Sequence, residues 1–65
     1  MHLGKSLKIA MAMADEDTND LAEALGVSYQ AARRLIRNKH WNGSTLVKVA
    51  DHFELKVSEF VMLGE

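Results

Sequence analysis

The 65-residue chain has no cysteine and no proline. Without cysteine there is neither a disulfide framework nor a thiolate metal site, so a small fold must hold without the usual staples. Without proline, no helix is interrupted by a residue that lacks a backbone donor. Glycine occurs only four times and aromatic residues make up 6%. No apolar run approaches the ~20 residues that span a bilayer, and no signal peptide opens the chain, so the expectation is a cytoplasmic protein with no membrane partner. Neither sign of charge dominates: eight Lys and Arg stand against nine Asp and Glu, for a formal charge of −1. Taken whole, that balance is not the basic composition common among nucleic-acid binders.

What is present favours helices. Apolar residues make up 48% with few β-branched runs, which suits an all-α domain. The length allows one domain, residues 1–65, close to the lower limit at which a core stands unaided. Leu3, Leu7, Ala10, Met11 and Ala14 recur at helical spacing and predict a first helix from Leu3 to about Met13, with Lys5 and Lys8 outside the stripe. Asp15-Glu16-Asp17 breaks that pattern. Asp17 and Asp20, three residues apart, form a capping-box-like start for a second helix and put acids at its positive end. A loop from Asn38 to Gly43 leads to a fourth helix capped by Asn42 or Ser44 and running to about His52. Its core face is Leu46, Val49, Ala50 and Phe53. A short last helix, Val57 to Met62, turns Val57, Phe60 and Val61 inward.

The stretch from Asp17 to Arg37 carries the chemistry. Leu21, Ala22 and Leu25 share one face of the second helix, and the small Ala22 lets another backbone approach at a steep angle. Gly26 is expected to end that helix in a left-handed conformation. Val27 turns back into the corner, and Ser28 stands at the N-cap of the third helix. On that helix Ala31, Ala32, Leu35 and Ile36 occupy one arc, while Tyr29, Gln30, Arg33, Arg34 and Arg37 occupy the other. A merely solvated face mixes charges to gain i,i+4 pairs. This one holds arginines alone, with a glutamine and a tyrosine suited to base edges or phosphates. Position also qualifies the net charge. Residues 24–50 contain Arg33, Arg34, Arg37, Lys39 and Lys48 and no acid, so the protein is expected to be a dipole whose basic side meets phosphates.

The spacing Leu21-Ala22, Leu25-Gly26-Val27-Ser28, Ala32 and Leu35, followed by Thr45-Leu46-Val47-Lys48-Val49-Ala50, resembles the Cro and lambdoid-repressor (XRE-type) helix-turn-helix family over nearly the full length. The resemblance implies a compact five-helix domain of the lambda-repressor-like type, with the helix-turn-helix formed by helices two and three. It also implies a transcriptional regulator, a Cro-like repressor of phage or prophage kind, that binds double-stranded operator DNA in the major groove. A homodimer on a palindromic site is implied, formed in solution or only on DNA. Ser28, Tyr29, Gln30, Arg33, Arg34 and Arg37 match the recognition helix. Gln30 suits adenine and Arg33 or Arg34 suits guanine, whereas Thr18, Ser28, Asn38, Lys39 and the amides opening helix two suit phosphates. Three positions depart from the family. Thr18 stands where many members carry glutamine, the loop 38–43 lacks the usual proline, and Glu54 stands where a glycine often ends helix four.

The remaining residues take plainer readings. His2, His40 and His52 lack the i,i+4 spacing of a metal site, so no metal is expected, and His40 lies near the DNA side. Trp41 reads as a lid on the core, the methionines as gap-fillers, and Met62-Leu63 as material for a dimer seam. Asp17, Asp20 and Glu23 have no nucleophile, glycine-rich loop or paired histidine beside them, so no enzyme activity, cofactor or small-molecule substrate is expected. The competing class is a protein-interaction module, adaptor or antitoxin-like, resting on the acidic ends and apolar tail. The acid-free basic stretch speaks against it.

Overall fold

A computed structural model describes residues 1–65 as five helices and no strand: α1 (Leu3–Ala14), α2 (Thr18–Leu25), α3 (Tyr29–Arg37), α4 (Gly43–His52) and α5 (Val57–Leu63). Four of the five helices begin where an N-cap side chain satisfies a free amide. His2 Nδ1 accepts from the Lys5 amide, Asp17 from Asp20, Ser28 from Ala31 and Asn42 from Thr45. At the start of α2 the capping box is reciprocal, for Asp20 Oδ2 accepts in turn from the Asp17 amide. Between Asn42 and Ser44, the cap of α4 is Asn42.

The core gathers one stripe from every helix. Leu3, Leu7, Ala10, Met11, Leu21, Ala22, Leu25, Ala32, Val49, Ala50 and Phe60 are buried together. Ala14, expected in the α1 stripe, is exposed, because the helix ends there and Asp15 turns away in a left-handed conformation (φ 55°). Glu54 takes the same conformation (φ 58°) after α4, so the turn that often holds a glycine is kept with a side chain in place. Trp41, Phe60 and Phe53 form an aromatic row with ring centroids 5.7 and 6.5 Å apart.

α1 joins the recognition side of the fold to its C-terminal helix. It packs on both α3 and α5. Ser6, fully buried, donates its hydroxyl to the Val61 carbonyl, and Gly64 is buried against Ser6 and the His2 carbonyl. A second tie crosses the chain outside the core: His52 Nε2 lies 2.9 and 3.0 Å from the two Glu16 oxygens, joining the end of α4 to the α1–α2 turn. No helix is long and apolar enough to cross a membrane.

Candidate nucleic-acid interface

α3 is held at both ends, and this decides what its outer face can do. At its start, Gly26 is left-handed (φ 68°) and the Val27 amide donates to the Ala22 carbonyl, so the chain reverses tightly. Lys48 Nζ reaches across from α4 to the Leu25 carbonyl at 2.9 Å, satisfying an acceptor that the end of α2 leaves free. Underneath, Ala32 is fully buried, so the backbones of α2 and α3 approach closely. At its end, the Trp41 indole donates to the Leu35 carbonyl at 3.0 Å, which with its tilted ring contact on Phe60 makes this residue the expected lid and also a cap on α3. The amides of Leu3 and Gly4, free because they open α1, donate to the carbonyls of Lys39 and Asn38.

The outward face is a cationic groove. Tyr29, Gln30, Arg33, Arg34 and Arg37 line one shallow cleft along α3. The Arg33 guanidinium stands 6.0 Å from the centre of the Tyr29 ring, within reach of a cation–π contact. The sole ion pair of the structure is His52–Glu16, so Arg33, Arg34, Arg37 and Lys39 have no carboxylate partner. Unpaired guanidiniums on a helix held at both ends present free donors of the kind that fork onto guanine edges or phosphate oxygens.

The family of Cro/C1-type HTH DNA-binding domains matches residues 6–63. The chain belongs to that family. Comparison with curated proteins and with solved structures finds no match. Membership makes this Cro/C1-type domain a DNA-binding helix-turn-helix protein, in a family that is in general not enzymatic.

The other expected residues of the Cro/C1-type domain divide between the two sides of α3. Thr18 lies in a second cleft with Lys8, Arg33, Ile36 and Arg37. Ser28, Asn38 and Lys39 are exposed at the two ends of α3, although the Ser28 hydroxyl oxygen is engaged as the helix cap. Two expectations change. The amides opening α2 are partly spent, since those of Asp17 and Asp20 go to each other's carboxylates, whose negative charge opposes a phosphate there. Lys48, counted in the basic stretch, binds the Leu25 carbonyl and serves the fold. Val27 is only half tucked in, 37% exposed over a groove with Leu25, Ala31 and Leu35. Sequence reasoning missed the clamp between the start of α1 and the exit of α3, because nothing in a linear pattern pairs residues 3 and 4 with 38 and 39.

Proposed function

We propose that this Cro/C1-type domain, residues 1–65 acting as one unit, is a sequence-specific regulator of transcription that lays α3 in the major groove of operator DNA. The observation that carries the reading is the acid-free face of α3, whose arginines have no ion-pair partner while both helix ends are fixed. Within that face the clefts separate two roles. Arg34 lines only the groove it shares with Tyr29 and Gln30, whereas Arg33 and Arg37 also line the cleft toward α1. Gln30 and Arg34 are therefore the base readers, on adenine and guanine edges, and Arg33, Arg37, Asn38 and Lys39 serve the backbone.

A domain this small covers few base pairs, so specificity calls for two copies on a palindrome, with recognition helices about 34 Å apart. Met62, 68% exposed, and the half-buried Val61 and Leu63 supply an apolar seam. The resemblance to Cro supports a repressor of phage or prophage kind that works in the cytoplasm. Selection of binding sites from random duplex DNA tests the reading. A strongly enriched palindrome is the expected result. A strongly enriched single asymmetric site bound one-to-one would remove the dimer alone, and a pool without enrichment would favour the protein-interaction module.

A further inference from the structure

We infer that the cleft where α1 faces α3, lined by Lys8, Thr18, Arg33, Ile36 and Arg37, holds one phosphate of the bound DNA, with Lys8 gripping the backbone. The inference rests on the DNA-reading role of α3 and adds to it a residue outside the helix-turn-helix. Three cations and a hydroxyl converge on the cleft, and none of the cations has an ion-pair partner. It is an open cleft of about 470 Å³, so nothing bars a phosphate group from reaching the cations. Arg33 and Arg37 belong to both clefts, so a strand lying along the outer face of α3 continues directly into it. Glu16 borders the adjoining groove beside Lys8 and Thr18. Its two carboxylate oxygens lie 2.9 and 3.0 Å from His52 Nε2. Asp17 and Asp20, near Thr18 at the start of α2, accept from each other's backbone amides, and neither lines the cleft.

A lysine on a phosphate adds affinity without sequence information, and each such contact steepens the salt dependence by about 0.9 in log K against log salt. Binding of the wild type, Lys8→Met, Lys8→Arg and Lys5→Met to a selected duplex and to a scrambled one, across a salt series, tests the inference. Lys5 is an exposed lysine on the same helix outside the cleft. The expected result is that Lys8→Met weakens both duplexes by the same factor and lowers the slope by about 0.9, while Lys8→Arg and Lys5→Met keep it. Both lysines are exposed, and matching circular-dichroism melts establish that the variants fold. An unreduced slope in Lys8→Met, an equal reduction in Lys5→Met, or a loss confined to the selected duplex would overturn the cleft while leaving α3 as reader. A wild type that binds neither duplex would overturn the DNA-reading role itself and the cleft with it.

Discussion

Gly4 passes so close to the carbonyl oxygen of Ile36 that a Cβ on residue 4 would fall on it, with the Asn38 carbonyl oxygen 2.8 Å from the same point. The obstacles are backbone atoms, which cannot swing aside as a side-chain tip can. Gly4→Ala should therefore destabilise by about 1–3 kcal/mol, the usual cost of overpacking, and lower the melting temperature by about 4–8 °C for each kcal/mol. A melting curve unchanged from wild type would mean that α1 does not meet α3 here.

Two left-handed positions should respond with opposite signs. Gly26 has no atom within 4 Å of where a Cβ would be, so a side chain there suffers from its backbone alone. Gly26→Val should cost about 1–2 kcal/mol, and Gly26→Asn clearly less, since asparagine tolerates this conformation. Glu54 already bears that strain (φ 58°). Relieving roughly 1–2 kcal/mol of it, against about 0.4–1 kcal/mol of added chain entropy in the unfolded state, makes Glu54→Gly neutral to stabilising. Urea denaturation measures all three. Equal losses for the valine and asparagine variants would point to a clash at residue 26 instead of strain.

Much of this architecture is legible in the sequence, and the reason is that its signals are local. Asp17 with Asp20, Gly26 and Ser28 each act within three or four residues, so pattern alone locates them. The core stripes of α2 and α4 follow from periodicity in the same way. Contacts set by tertiary approach are not legible. Gly4 looks like a weak point in a helix until Ile36 arrives beside it, and Gly64 looks like a loose tail until Ser6 is packed beneath it. His52 and Glu16, separated by 36 positions, share no motif. Lys48 reads as one more cation of the basic stretch, and only the location of the Leu25 carbonyl reveals its use.

That use separates Lys48 from the cations of the DNA face. Lys48→Met should remove a charge stabilising the carbonyl end of α2, worth about 0.3–1 kcal/mol. It should leave the salt dependence of DNA binding where it is. Thermal melts and a salt series on the same preparation check both halves. A shallower salt slope in Lys48→Met would return this lysine to the phosphate contacts.

Base reading and backbone holding should likewise part within α3. Arg34→Ala and Gln30→Ala are expected to weaken a selected site by about 1–3 kcal/mol more than a scrambled duplex. Arg37→Ala should weaken both alike. Competition binding with the two duplexes distinguishes the patterns, and a reversal between Arg34 and Arg37 would exchange their roles.

The pairing of α1 with α5 through Ser6 and Val61, closed by Gly64, bears on how the chain is made. A ribosome delivers α1, α2 and α3 well before the segment that completes the core, so Phe60 is missing while the recognition helix is already synthesised. Packing that joins the two extremes of a sequence forms late, since a long stretch must close before it is rewarded. The core behind the DNA-reading surface is thus complete only after Phe60 and Gly64 have been added. A chain stopped before Phe60 would carry its arginines on a domain whose core is incomplete.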